Sequence, residues 1–363
     1  MTSKTSKNKV TRMRSTVSLL TAAVILMGVS VSAAFAAEAD FNGQWMIRIP
    51  APEVVPYEGL LELEKQGDEW VAYIEHGPAP VSIDGNQIEI TLDTRDRQGF
   101  QFQRLLEGAL EDSQMSGVLH SVGILKTAAE HGEDGSPWSA VRMDTIPPRT
   151  SDYELEDFAG TWVGIRGVDL RKYTMDLTPA AREWFAGYDA RMDEPQKRCV
   201  SPGLIATSTW IFPFEIIPSE NRLTLLYEVF GLLRRVYMNQ TEMPEFYPES
   251  SMGYSQGRFE DGELIIETTL LSPNTRDFNG EPVGENTRVV ERYFLTNDGK
   301  RLNMIMVQHD PDNYQRPPIR RRAWDKNNDS IIFPFECDPD SFFRQLFDEG
   351  RMQEYINRSY RRP

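Results

Sequence analysis

Three glutamates on predicted strands in the second half of the chain are candidates for acid–base chemistry: Glu228, Glu267 and Glu291. Every second residue of a strand shares a face, so each of them lies with apolar neighbours. Those neighbours are Leu226 and Phe230, then Ile265, and then Val289, Tyr293 and Leu295. A buried carboxyl group with few partners has a raised pKa and can act as a general acid or base.

A second interpretation puts the same glutamates on a solvent-exposed face. Antiparallel sheets commonly leave one face wet, and cross-strand pairs of glutamate and arginine stabilise that face. Arg235 and Arg292 lie in neighbouring predicted strands and could supply such pairs. Burial of Glu267 and Glu291 in a cavity would favour catalysis, and exposure would exclude it.

Histidine is scarce, and none of the four histidines has the spacing of a metal site. His309 precedes Asp310 after a predicted strand, so it is a fourth candidate catalytic residue, although such a pair is more often structural. The sequence has no nucleophile elbow, phosphate loop or dinucleotide-binding glycine motif. We therefore predict no cofactor, and the motifs leave open whether the protein is an enzyme.

The segment at 325–336 resembles a calcium loop in spacing only. Asp325, Asn327, Asp329 and Glu336 stand at loop positions 1, 3, 5 and 12. However, Ser330 stands where the bend needs glycine, and Pro334 interrupts the segment. We expect an Asp/Asn turn, followed by SIIFPFE (330–336) as the last strand, and no metal site.

Only two cysteines are present, Cys199 and Cys337. In an oxidising compartment, a lone pair far apart in sequence favours a disulfide over two reactive thiols. The pairing remains a prediction at this point.

Aromatic residues and methionine are plentiful in the second half, which suits both a core and an apolar ligand pocket. The candidate ligand-binding residues are Tyr227, Arg235, Tyr237 and Tyr254. The loop at 239–257 is rich in proline and aromatic residues, so we predict that it forms a lid or the mouth of a pocket.

The elements that must position these residues are mainly strands. Short alternating runs with Asp-Gly and Gly-Asp turns predict a small antiparallel barrel over 40–144, a linker over 145–157 and a larger barrel over 158–337. Thr178-Pro179 predicts a short inserted helix over 179–192. Asp338-Pro339 predicts a C-terminal helix over 338–358. The fold class is all-β, with two antiparallel barrel-like modules.

Both modules open on a Gly-x-Trp strand, in FNGQW (41–45) and FAGTW (158–162). With an arginine near the end of the last strand, this pattern resembles lipocalins and other calycins. The matching residues are Gly43, Trp45 and Arg142, then Gly160, Trp162 and one of Arg320 to Arg322. The order of motifs over about 195–320, including GYSQGRFEDGELIIETT, also resembles a group of exported bacterial proteins of unknown function.

The first 36 residues have the pattern of a signal peptide: a basic start, an apolar stretch and Ala34-Phe35-Ala36. They carry five of the 39 basic residues and none of the 55 acidic ones, so cleavage would change the net charge from −16 to −21. Such an acidic chain repels phosphate backbones, so we expect no nucleic-acid partner. The sequence predicts a periplasmic or secreted protein without stable membrane insertion.

These observations predict an exported protein that binds a small, largely apolar molecule in the second module. Two alternatives remain open. The first is a calycin-scaffold hydratase, isomerase or hydrolase that uses buried glutamates. The second is an envelope interaction module without a pocket.

Overall fold

Alternating apolar and polar residues fold 48% of the described residues into strands, and all but one of the pairings in the two large sheets are antiparallel. The computed structural model describes residues 40–50, 55–75, 77–95, 101–123, 135–165, 175–240, 242–275 and 280–358. The predicted signal peptide at 1–36 lies outside these residues. The described part is mostly β, with two barrel-like sheets of nine strands each and four short helices.

The first sheet runs in the order β4-β3-β2-β1-β9-β8-β7-β6-β5. Its strands are β1 (Gly43–Ile49), β2 (Tyr57–Gln66), β3 (Glu69–Ile74), β4 (Gly77–Ala79), β5 (Val81–Asp84), β6 (Gln87–Arg95), β7 (Gln101–Glu111), β8 (Gln114–Val122) and β9 (Ser136–Arg142). The predicted hairpins around Gly67 and Gly85 are confirmed by the β2–β3 and β5–β6 pairings. Only Pro80 separates the outermost strands β4 and β5, so the sheet curls back on itself.

The second sheet is a closed barrel in the order β10-β11-β12-β13-β14-β15-β18-β19-β20. Its strands are β10 (Gly160–Gly164), β11 (Phe214–Ser219), β12 (Arg222–Tyr227), β13 (Leu233–Met238), β14 (Tyr254–Glu260), β15 (Glu263–Thr269), β18 (Arg288–Thr296), β19 (Arg301–His309) and β20 (Ile319–Lys326). A separate ribbon pairs β16 (Asn274–Thr275) with β17 (Pro282–Val283). The β13–β14 pair is parallel, because the long connection 239–253 returns the chain to the end of the barrel where β13 begins.

The two Gly-x-Trp strands are built alike. Trp45 donates its indole N–H to the carbonyl of Phe41 at 2.9 Å, and Trp162 donates to that of Phe158 at the same distance. The guanidinium of Arg142, the last residue of β9, lies 4.5 Å from the Trp45 ring, as predicted.

In the second barrel the corresponding cation is not an arginine from 320–322, and that prediction is wrong. Lys326, the last residue of β20, lies 4.9 Å from the Trp162 ring and donates to the carbonyl of Asp157 at 2.7 Å. Arg320 is directed instead to Gln308 and Glu281, and Arg321 to Glu75 of the first sheet. A lysine at the strand end reaches the indole because β20 extends to residue 326.

The glycines of both motifs are required by their backbone and by close contacts. Gly43 has φ of +128° and Gly160 has φ of +119°, a region that side chains disfavour. A Cβ at Gly43 would lie 3.1 Å from Arg142 Nη1, and a Cβ at Gly160 would collide with the Asn328 amide. Gly43 therefore leaves room for the guanidinium of Arg142, and Gly160 leaves room for the Asn328 amide, which accepts from the Thr161 N–H.

Two short helices lie against the end of the second barrel at which β12 ends and β13 begins. Helix α1 (Pro179–Ala186) begins as predicted, with the Thr178 hydroxyl accepting from the Ala181 N–H. It ends before Gly187, earlier than the predicted residue 192. Helix α2 (Gly203–Thr209) was not predicted, and all of its residues are buried. Among the described residues, none of the helices has the length and apolar character of a membrane span.

The C-terminal region corrects two predictions. SIIFPFE is not a strand: β20 ends at Lys326, and irregular chain follows as far as Asp338. The predicted single helix is two helices, α3 (Pro339–Asp348) and α4 (Met352–Arg358), because Gly350 breaks the run at φ of +67°.

The predicted disulfide between Cys199 and Cys337 is present and ties this region to the chain before α2. Phe342 and Leu346 of α3 pack on Met192 beside it.

The two sheets contact each other through arginines of the second. Arg316 donates to Glu62 at 2.6 Å and to Glu64 at 3.1 Å, and it stacks on the Tyr73 ring. The predicted linker also packs on the second barrel, since Arg149 donates to Glu263 at 2.8 Å. The connection between the sheets is therefore fixed by side-chain contacts.

Candidate functional site

A buried polar network crosses the interior of the second barrel. Glu291 is fully buried and forms a two-point ion pair with Arg234, with N–O distances of 3.1 and 2.5 Å. Arg234 also donates to Ser255 at 2.9 Å and to Thr268 at 2.8 Å. The Tyr293 hydroxyl donates to Glu291 at 2.8 Å. We call this set the interior network.

Tyr293 and Arg234 both hold their protons more strongly in the interior network than they would in water. Burial, followed by the charge of Glu291, raises the pKa of Tyr293 well above its ordinary value. Burial alone would lower the pKa of Arg234, but the Glu291 carboxylate raises it above its ordinary value. Both oxygens of Glu291 accept hydrogen bonds within the network. A carboxylate committed in this way stabilises the barrel and is poorly placed to exchange protons with a substrate.

The core of the second barrel is otherwise mainly apolar. The inward residues of the core include Trp162, Phe214, Leu225, Val236, Ile266, Met304 and Trp324. Tyr227, a candidate ligand-binding residue, is buried among them. It stacks on Phe214 at 5.4 Å, and its hydroxyl lies 3.4 Å from that of Ser208 in α2.

Glu267 and His309 lie together on the outer face of the barrel. Glu267 pairs with Arg288 at 3.1 Å, and its side chain is 42% exposed. His309 stands opposite Arg288 in the β18–β19 ladder. Partial burial, and then Arg288, lower the pKa of His309. Exposure removes Glu267 from any interior cavity, so for this residue the solvent-exposed interpretation applies.

Four other candidates lie outside the barrel interior. Glu228 begins a turn after β12 and accepts from the Phe333 N–H at 3.1 Å, outside the barrel. Arg235 is exposed, because Val236 and Met238 point inward from β13. Arg234 shares their face, since it lies two residues before Val236. Tyr237 and Tyr254 stack at 5.2 Å on the outer face, where Tyr247 of the predicted lid covers Tyr254. The ligand-binding candidates are therefore not gathered in one pocket.

A cleft of about 430 Å³ lies beside α1. We call it the α1 cleft. Its described lining residues are Ala180, Ala181, Trp184, Pro273, Gly284, Glu285, Asp312 and Asn313. They come from α1, from both sides of the β16–β17 ribbon and from the β19–β20 connection. Helix α1 is held there because the Thr178 hydroxyl and N–H donate to the carbonyls of Asp312 and Asn313.

The floor of the α1 cleft rests on the carboxylate of Asp310, which is 2% exposed. It accepts from the Gly284 N–H at 3.0 Å, from the Asn313 amide at 3.0 Å and from Gln308 at 3.2 Å. These bonds show that Asp310 supports the cleft and does not orient His309. A Cβ at Gly284 would lie 2.7 Å from the Asn313 amide nitrogen, so the close packing requires glycine.

The calcium-like segment forms a turn, as expected. The Asn327 side chain accepts from the Asp329 N–H at 3.2 Å, and Asp325 pairs with Arg301 at 2.8 Å. Within the described ranges, no group of three or more His, Cys, Asp or Glu side chains could hold a metal ion.

Sequence reasoning missed Arg234 and the α1 cleft. Both faces of β13 carry apolar residues, Val236 and Met238 on one and Leu233 and Tyr237 on the other, so alternation alone gave no signal that Arg234 and not Arg235 points inward. The lining of the cleft comes from three separate segments, and only the tertiary fold brings these together.

Comparisons with known proteins give little support for any function. The sequence matches no protein family, and no curated protein matches it. Among solved structures, Aeromonas veronii immune modulator A aligns with 80% of this chain and 95% of its own, at 9% identity and a TM-score of 0.22. A similarity of that size carries no argument about fold or activity.

Proposed function

We propose that this protein is an exported binding protein for a small, largely apolar molecule, which it holds in the α1 cleft. The observation that carries the proposal is the cleft itself. Its volume of about 430 Å³ falls in the range of small-molecule sites, roughly 300–1,000 Å³. One wall is apolar, formed by Ala180, Ala181, Trp184 and Pro273, and a few polar groups face it.

The rigidity of the surroundings supports this proposal. Leu177, Ala181 and Tyr314 form a small core beneath α1, and the Tyr314 hydroxyl donates to the carbonyl of Pro282 at 2.9 Å. A site whose walls are fixed before binding loses less entropy when the ligand arrives. The signal-like leader and the disulfide favour export, and the two Trp–cation closures favour the calycin resemblance.

The barrel interior is a weaker location for a ligand. Entry there would have to displace buried side chains and the interior network, and leaving Arg234 or Glu291 unpaired would cost several kcal/mol. The enzyme alternative is also weakened. Both oxygens of Glu291 already accept hydrogen bonds from Arg234 and Tyr293, and Glu267 is exposed.

Native mass spectrometry of protein purified from the extracytoplasmic fraction of the cells that make it tests the proposal. We expect the wild type to retain a small-molecule adduct. Ala180→Trp places a large side chain in the cleft from an exposed helix position and should abolish the adduct. Ala186→Trp makes the same change at an exposed position of α1 that does not line the cleft, so it is the matched control.

Two outcomes would contradict the proposal. The first is a wild-type protein without any adduct. The second is an adduct that survives Ala180→Trp in a variant whose thermal unfolding matches that of Ala186→Trp.

A further inference from the structure

The polar side chains that line the α1 cleft present hydrogen-bond acceptors. Glu285 and Asp312 are exposed at its rim. Asp312 accepts from the neutral amide of Asn286 at 2.8 Å. Within the described part of the chain, neither carboxylate forms an ion pair, and the described lining contains no lysine or arginine.

Asn313 supplies a third acceptor from the floor. Its side chain lines the cleft although the residue is only 5% exposed. Its amide nitrogen is committed to both oxygens of Asp310, each at 3.0 Å. No residue in the described ranges donates to the amide oxygen, so this end of the buried side chain is the one that remains for a ligand, and it accepts hydrogen bonds only.

The start of α1 offsets these charges only in part. A helix N-terminus carries about half a positive charge, against two full negative charges at the rim. Pro179 has no N–H to offer, and the Ala181 N–H is bound by Thr178. Among the described lining residues, the balance of charge is negative.

The apolar wall adds a second feature that favours a cation. Trp184 lines the cleft, and indole is the aromatic ring that attracts cations most strongly. We propose that the α1 cleft selects a ligand with a protonated amine on an apolar body. The inference rests on the proposed function and names its ligand class: the amine would donate to Glu285, Asp312 or Asn313, and the body would pack on Ala180 and Trp184.

Three probes with one apolar body and different charge test the inference: 2-phenylethylammonium, 2-phenylethanol and 3-phenylpropionate. Their Kd values are measured on the purified chain by ligand-observed NMR at neutral pH. We expect the ammonium to bind on the order of tenfold more tightly than the alcohol, and the carboxylate to bind most weakly. The preference should shrink in high salt, because the rim is exposed.

A charge-neutral variant locates the effect. Glu285→Gln combined with Asp312→Asn should reduce the ratio of the ammonium's affinity to that of the alcohol to about twofold or less. The matched control removes two exposed carboxylates that are neither on α1 nor in the cleft lining, Glu111→Gln with Glu220→Gln, and should keep the full preference.

The outcomes separate this inference from the proposed function. If the alcohol binds as tightly as the ammonium and Ala180→Trp abolishes its binding, the inference about the amine is wrong, whereas the proposal that the α1 cleft binds a ligand is supported. A preference for the ammonium that persists in the charge-neutral variant also overturns the inference. If no probe binds, or if binding survives Ala180→Trp, both fail.

Discussion

At the scale of single residues, the clearest assignment is that Glu291 and Arg234 form a structural pair. Both are buried, and every oxygen of Glu291 is engaged. Sequence alternation put Glu291 and Tyr293 on one face of β18 and left open whether that face is inner. It could not decide for Glu267 or Arg235 either, because both faces of β13 and β15 carry apolar residues and the pattern does not say which face meets the core.

Removing one partner of the interior ion pair should be far more damaging than removing an exposed pair. Glu291→Leu leaves Arg234 buried and unpaired, and we expect it to lower the free energy of unfolding by about 3–5 kcal/mol. Adding Arg234→Met should restore part of that loss. The control is Glu260→Leu at the half-exposed Arg258–Glu260 pair, expected to cost less than about 1 kcal/mol.

Denaturant titrations give these free energies directly. Equal losses for Glu291→Leu and Glu260→Leu would show that the interior pair does not have the structural role assigned to it here.

Tyr293 makes stability depend on alkaline pH. Its pKa is raised in the folded protein by burial and by Glu291, whereas the unfolded chain titrates near pH 10. The folded state therefore keeps a proton that the unfolded state releases, and the free energy of unfolding should fall as pH rises above about 10. In Tyr293→Phe the decline should be shallower, although the variant is less stable at neutral pH. Parallel slopes in denaturant titrations at pH 8 to 11 would contradict this account.

At the scale of elements, the Gly-x-Trp strands were predictable because one short motif specifies three local features. The glycine allows the backbone turn, the indole fills the barrel end, and a cation at the end of the last strand covers it. The identity of that cation in the second barrel was not predictable, since four basic residues lie between 320 and 326 and the register of β20 selects Lys326.

Lys326 should therefore act as the counterpart of Arg142. We expect Lys326→Met to destabilise the protein by about 1–2 kcal/mol, because it loses a cation–π contact and a hydrogen bond to a main-chain carbonyl. Arg142→Met should cost a similar amount, and Lys326→Arg should retain most of the stability. Chemical unfolding measures all three, and a neutral effect of Lys326→Met would remove Lys326 from this role.

Helix α2 was not predicted, and SIIFPFE was wrongly predicted as a strand, for one physical reason. Helix α2 is buried on all sides, so it has no polar face and shows no amphipathic period. The SIIFPFE segment has the composition of a strand, but its main chain runs outside the barrel, where Phe335 stacks on Phe230 at 4.4 Å and Phe333 is exposed. In both cases the tertiary position overrides local preference.

At the scale of the whole molecule, the all-β class and the two barrel-like sheets followed from turn spacing and alternation. The contact between the sheets did not. It depends on Arg316 and Arg321 meeting Glu62, Glu64 and Glu75, residues separated by about 250 positions in sequence. The α1 cleft belongs to the same category, because long-range contacts assemble it from segments with no shared motif.

The most direct test of the account is a crystal structure of the protein purified natively, with any ligand it retains. We predict ligand density in the α1 cleft, between Trp184 and Asn313, with a donor group directed to Glu285, Asp312 or the Asn313 oxygen. Density inside the second barrel in place of the Arg234–Glu291 contacts, or a cleft that holds only solvent, would contradict it.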